Sequence, residues 1–166
     1  MKVSVIYDSV FGNTEKIARA MGQAPGDNSS VDIVHVSRAD AEMIHETNLL
    51  IAGSPTRGFR PTPALAKYLK SLPKNHLNGL SVAAFDTRID LNQIGNKMLR
   101  FMVHKGGYAA GRIARLLQKR GGSLIAAPEG FFVTGDQGPL KAGEPERAAD
   151  WAEQLFQTVM NQRKSL

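Results

Sequence analysis

The chain has no cysteine, which excludes a disulfide framework, a thiolate nucleophile and any Cys-ligated zinc or iron–sulfur centre. No apolar run approaches the roughly 18 residues of a membrane span. The first residues run straight into a strand pattern with no signal-peptide layout. Those two absences predict a soluble, cytoplasmic protein. Metal-ligand spacing is missing as well: His35, His45, His76 and His104 are scattered, so no metal site is expected. Acid is absent from one long stretch, since Leu91 to Pro128 contains seven Lys or Arg and neither Asp nor Glu. In a chain of net charge +6 this run reads as a solvated basic face or as the footprint of an anionic partner. No nucleic-acid motif accompanies it and no aromatics are interleaved for base stacking, so nucleic acid is not the expected partner.

What is present is alternation of strand and helix patterns along 166 residues, read as one domain spanning 1–166. Lys2–Tyr7 and Val31–Val36 alternate in the manner of strands. Asn48–Gly53 and Leu80–Phe85 are short apolar runs suited to strands covered on both faces. Ser123–Ala126, continued at Gly130–Val133, makes a fifth strand kinked near Pro128. Between them, Leu65, Tyr68, Leu69 and Leu72 form a helical stripe, as do Ala109, Ile113, Leu116 and Leu117. Ala148, Trp151, Ala152, Leu155, Phe156 and Val159 form another, which makes Trp151 a core residue. The pattern predicts an α/β domain in three layers around a doubly wound, five-stranded parallel sheet. One segment interrupts it. Leu91, Ile94, Met98, Phe101 and Met102 share a helical face, expected to pack on the body, with a mobile cap or self-association surface as the alternative.

The most informative run is Tyr7-Asp8-Ser9-Val10-Phe11-Gly12-Asn13-Thr14, where the first strand breaks into a loop that opens directly into a helix. Backbone N–H groups and the hydroxyls of Ser9 and Thr14 then converge at the positive end of a helix dipole, a site for phosphate. The run is neither a Walker A loop nor Gly-x-Gly-x-x-Gly. Taken alone it also reads as a plain strand–helix turn, with Gly12 in an unusual conformation and Asn13 or Thr14 as cap. Ligands of open α/β sheets lie beyond the carboxyl ends of the strands. The loops after the third and fourth strands, Ser54–Thr62 and Asp86-Thr87-Arg88, therefore join the first. One loop suits a phosphate and two suit a planar ring, a division that flavin mononucleotide fits.

With these residues in view the chain resembles a short-chain flavodoxin, over essentially its whole length. Ser9-x-x-Gly12-Asn13-Thr14 is similar to the flavodoxin phosphate loop, Gly53-Ser54-Pro55-Thr56-x-Gly58 to the first ring loop, and Phe85-Asp86-Thr87-Arg88 occupies the second. Gly130-Phe131-Phe132-Val133, Gly138-Pro139-Leu140 and Gly143-Glu144 resemble less characterised flavodoxin-domain proteins that are not carriers. The resemblance implies strand order 2-1-3-4-5 and FMN as cofactor. It implies that Ser9, Val10, Phe11, Gly12, Asn13 and Thr14 hold the phosphate, and that Pro55, Thr56, Arg57, Gly58, Phe59, Asp86, Thr87 and Arg88 surround the ring. Phe59 would flank the ring, Thr56 and Thr87 would bond its edge, and Gly58 would turn its peptide toward the reduced ring's N5–H. Phe11 stands where a hydroxyl residue is usual; one lost hydrogen bond of roughly 0.5–1.5 kcal/mol weakens binding without abolishing it.

The implied function is an FMN-dependent redox protein, either an electron carrier or a small oxidoreductase, with no catalytic acid or base in the chain. Its partner would be a redox protein or a small electron donor or acceptor, quinone or nicotinamide included. Arg57, Arg60 and Arg88 stand in the ring loops. A guanidinium about 6 Å from the ring's N1 edge favours the anionic ring by roughly 2–3 kcal/mol at an effective dielectric of ~20. That predicts a less negative potential than an acidic flavodoxin has. In the other reading these arginines face solvent, or Arg88 pairs with Asp86 or Asp90. Two other functions stay open: a flavodoxin-like binding module without FMN, and a phospho-accepting receiver domain. The receiver is suggested by Asp8, Thr87 and Lys105, but it lacks an acceptor Asp at Gly53-Ser54.

Overall fold

The computed structural model describes residues 1–24 and 29–165. Strand β1 (Lys2–Tyr7) lies inside a parallel sheet, with β2 (Ser30–His35) on one side and β3 (Leu49–Pro55) on the other. Beyond β3 comes β4 (Ser81–Ile89), and along β4 run β5 (Ser123–Leu124) and β6 (Glu129–Val133). The order is β2-β1-β3-β4-β5, with β6 also on β4. The expected fifth strand is thus present in two pieces. Val82 pairs with Leu124 and Phe85 with Glu129, so two residues of β4 face the four residues Ile125–Pro128. Pro128 has no N–H to give the ladder, and the strand bulges there before pairing resumes.

Helices cover both faces. On one, α1 (Asn13–Gly22) and α5 (Glu144–Lys164) pack on Val3, Val5, Leu49, Ile51 and Phe85. On the other, α2 (Pro63–Ser71) and α4 (Ala109–Lys119) pack on Ile6, Leu50, Ala52, Val82 and Ala84. Successive side chains of a strand point to opposite faces, so the middles of β3 and β4, covered on both, are the apolar runs of residues 49–52 and 82–85. Trp151 is buried in the first of these layers, its ring edge-on to Phe131 at 6.0 Å. Gly53 is required by packing: a Cβ there would lie 2.2 Å from the buried ring of Phe85.

The segment between β4 and α4 departs from expectation. It forms a single 3-10 turn at Leu91–Gln93 and then helix α3 (Lys97–Gly106). Leu91 and Ile94 of its apolar stripe are half-buried, but the part on α3 does not pack on the body. Met98 is 70% and Phe101 63% exposed, Leu99 and Met102 are exposed too, and Val103 is the buried residue of the helix. The reason is topological: α4 already occupies the surface of β3 and β4 on that side, leaving no sheet for α3 to cover.

Candidate functional site

Because β1 pairs with β2 on one side and β3 on the other, the loops leaving the carboxyl ends of β1 and β3 diverge. The crevice of an open α/β sheet forms at that reversal. A cleft of about 420 Å³ opens there, within the usual range for a cofactor site. Val10, Phe11, Asn13 and Thr14 line it from the first loop, Pro55, Thr56, Arg57 and Gly58 from the second, and Thr87 and Arg88 from the third.

In the first loop, Gly12 has φ +86° and serves as the N-cap of α1, with no side-chain cap. Glycine takes this left-handed conformation without steric cost. The Ser9 hydroxyl oxygen accepts from the N–H of Gly12 at 3.1 Å and from that of Glu15 at 3.4 Å. Among the described residues no group accepts from the N–H groups of Phe11, Asn13 or Thr14. One oxygen thus already sits where two amides meet, and a phosphate oxygen has the same acceptor chemistry. The Glu15 carboxylate in the first helical turn would repel an anion, but Arg19 holds it at 2.7 Å and lowers its pKa. Val10 and Phe11 stand exposed at the rim.

The Thr14 hydroxyl is not free in the loop. It is buried and bonded to the Thr87 hydroxyl at 2.8 Å, which ties the start of α1 to the end of β4. Asn13 is likewise buried and donates from Nδ2 to the Gln137 carbonyl at 3.0 Å.

The second loop is a tight turn. Arg57 N–H donates to the Arg60 carbonyl and Arg60 N–H to the Arg57 carbonyl, at 2.9 and 3.0 Å. Its two central residues, Gly58 (φ +53°) and Phe59 (φ +66°), are both left-handed, as a two-residue primed turn requires. Phe59 does not line the cleft. Its ring packs on Gly106 of α3, where a Cβ would come within 2.8 Å. Arg57 lies over Phe11, its guanidinium carbon 5.5 Å from the ring centre.

The third loop is fixed from beneath. Asp86 is fully buried and accepts from Arg88 Nη2 at 2.9 Å, from the Thr56 hydroxyl at 3.1 Å and from the Ala110 N–H at 2.8 Å. Thr56 in turn accepts from the Ala109 N–H at 2.9 Å. Tyr108, at the N-cap of α4, offers no side-chain cap, so Asp86 and Thr56 cap that helix from neighbouring strands. Burial pushes the Asp86 carboxyl up; Arg88, the Ala110 N–H and Thr56 pull it back. Arg88 stacks on Tyr108, 3.6 Å from the ring centre, and passes so close to Gly130 that a Cβ there would lie 2.2 Å away. Asp86, Thr56 and Arg88 are thus one capping network, with Thr56 and Arg88 also at the cleft wall.

Ile89, Val133, Asp136 and Gln137 also line the cleft and were missed from sequence. Ile89 and Val133 end β4 and β6, and the loop of Asp136 and Gln137 is shaped by Gly138 (φ +96°), which leaves room for the Asn13 side chain. The Gly138-Pro139 pair was its only legible signal. Among the described residues no group of His, Asp and Glu has metal-binding geometry, and no helix is long and apolar enough to cross a membrane.

A doubly wound parallel sheet with an amide-lined loop and two further loops around its switch-point cleft has the architecture of the flavodoxin-like α/β class. The family model for flavodoxin matches residues 5–151, and the chain belongs to the flavodoxin family. It is 27% identical over 124 residues to a flavodoxin of Clostridium saccharobutylicum, covering 68% of this chain and 78% of that one. An archaeal flavodoxin superposes with a TM-score of 0.74 at 17% identity, over 96% of this chain and 99% of that one. The rubredoxin oxygen:oxidoreductase of Desulfovibrio gigas superposes with a TM-score of 0.72 at 20% identity, but this chain spans 36% of that longer protein. At such identities the two superpositions speak for the fold alone. Family membership makes the chain a flavin-binding redox protein, with FMN the cofactor that flavodoxins carry.

Proposed function

We propose that the chain is a one-domain electron carrier that binds FMN in the cleft above β1, β3 and β4. The observation that carries this reading is the first loop, where amides of Phe11, Asn13 and Thr14 lack protein acceptors beside a left-handed Gly12. Those amides, with the Gly12 and Glu15 amides now on Ser9, would hold the phosphate. Phe11 contributes its amide but no hydroxyl. Pro55, Thr56, Arg57, Gly58, Thr87 and Arg88 would flank the ring, with Asp86 holding the last of these in place and Phe59 bracing the turn from behind. Bound FMN supplies the redox chemistry. The residues around it bind, orient and set access, and none needs to act as acid or base.

Carrier is favoured over oxidoreductase because no residue of α3 lines the cleft, while Val10 and Phe11 lie exposed at its rim. A carrier needs such an open edge for a redox partner. Arg88 is neutralised by Asp86 and Arg60 does not line the cleft, which leaves Arg57, among the described residues, as the cleft-lining arginine without an ion pair, and a less negative potential than that of an acidic flavodoxin follows from it.

The test is titration of the apo-protein with FMN, followed by flavin fluorescence, beside Gly12→Val. A side chain at the left-handed Gly12 position is strained by roughly 1–2 kcal/mol, so affinity falls about tenfold. No binding at micromolar FMN would favour the binding module without cofactor instead.

A further inference from the structure

We propose that α3 is an interfacial helix that seats the cleft end of the protein on an anionic lipid surface. Met98, Phe101 and Met102 stand at the spacing of one helical face, with Leu99 beside them, and all four are exposed. Contiguous apolar surface of this kind on a water-facing helix marks a place that something covers. The charges that flank it have one sign. Lys97, Arg100 and Lys105 lie on the helix, and no Asp or Glu occurs anywhere from Leu91 to Pro128. A helix with exposed apolar side chains, cations beside and among them, and no carboxylate matches the boundary between acyl chains and anionic headgroups.

Details of α3 fit that occupant better than a protein partner. A protein surface presents charges of both signs, and α3 offers no carboxylate to pair with the basic ones. Lys105 reaches along the Phe101 side chain, its Nζ 5.9 Å from the ring centre, so its ammonium can stay at headgroup level while the ring enters the apolar layer. The helix is also self-supporting. The Asn96 side chain accepts from the N–H groups of Met98 and Leu99 at 2.9 and 3.3 Å, Val103 is buried beneath the helix, and Gly106 at its C-terminal end packs on Phe59. At ten residues it is too short to span a bilayer but long enough to lie on one.

Docking would also orient the cofactor end. Gly106 packs on Phe59, and two residues before Phe59 is Arg57, which lies over Phe11 at the rim of the cleft. A lipid surface under α3 would therefore lie beside the cleft opening, where a membrane-held electron donor or acceptor is within reach. The seating itself does not depend on FMN, so vesicle binding and FMN binding fail or succeed separately.

The experiment is co-sedimentation of the full chain with vesicles of phosphatidylglycerol mixed into phosphatidylcholine, against phosphatidylcholine alone. Binding is expected to the anionic vesicles and to weaken steeply with added salt. The triple variant Lys97→Gln, Arg100→Gln, Lys105→Gln should lose about a hundredfold in affinity. Met98→Glu with Phe101→Glu should abolish binding, while thermal unfolding of both variants stays at that of the parent because these side chains are exposed. Equal binding to both vesicle types, or binding that survives both sets of substitutions, would overturn the proposal. So would a concentration-dependent dimer, lost in Phe101→Glu, from a protein that ignores vesicles: the face would then belong to a second copy.

Discussion

Helices α3 and α4 follow one another with only Gly107 and Tyr108 between them, and both carry an apolar stripe among basic residues, yet their fates are opposite. α4 buries Ala109, Ala110, Ile113, Ala114 and Leu117 against the sheet, and its N-terminus is capped by Asp86 and Thr56. α3 buries Val103 and leaves Met98, Leu99, Phe101 and Met102 to solvent. The difference teaches that an apolar stripe states a demand for cover, while topology decides whether the chain itself supplies it. α4, the later of the two in the chain, covers that sheet face, and α3 is left outside it.

The sharpest way to break this comparison is to truncate one apolar residue in each helix. Leu117→Ala should destabilise by about 2–5 kcal/mol in urea unfolding, and Phe101→Ala by less than about 0.5 kcal/mol. Equal losses would mean that α3 is part of the core. Next in size is the cap. Asp86→Asn leaves Arg88 without its buried anion and the first amides of α4 with a weaker acceptor, a loss of roughly 2–3 kcal/mol. Amide exchange should accelerate at Ala109 and Ala110 and leave α3 as it was. The smallest effect sharpens the contrast from the other side. Lys141, 2.9 Å from Asp90 at the base of the α3 segment, lowers the Asp90 pKa. The contribution of this pair is therefore present above the ordinary carboxylate pKa of about 3.9 and is lost as pH falls through the lower folded value. A carboxyl carbon NMR titration should put the Asp90 midpoint below that ordinary value, and α3 amides should lose protection there before those of α4.

Much of this was legible beforehand, for identifiable reasons. The middles of β3 and β4 announce themselves because burial on both faces selects unbroken apolar runs, and α4 and α5 because one face is buried continuously. The open turn at the start of α1 was legible because Gly12 sits at a strand–helix junction, where backbone geometry alone leaves N–H groups without partners among the described residues. Side-chain roles were harder. Asp86 and Thr56 stand at strand ends, the usual place for ligand contacts, but what they touch is the uncapped start of a helix that begins over twenty residues later in the chain. Phe59 in a loop after a strand suggests a ring-facing aromatic; its positive φ, which turns it toward Gly106, is not written in the residue type. The loop of Asp136 and Gln137 reaches the cleft only because the bulge at Ile125–Pro128 lets the last strand resume along β4.

The central claim is that FMN is held by the first loop and that α3 stands apart from the cofactor. Amide NMR spectra of the protein with and without FMN test it residue by residue. The predicted result is large shifts at Phe11, Gly12, Asn13 and Thr14, with further changes at Gly58 and Thr87, and unmoved signals from Met98 to Met102. Shifts confined to α3, or none in the first loop at saturating FMN, would contradict it.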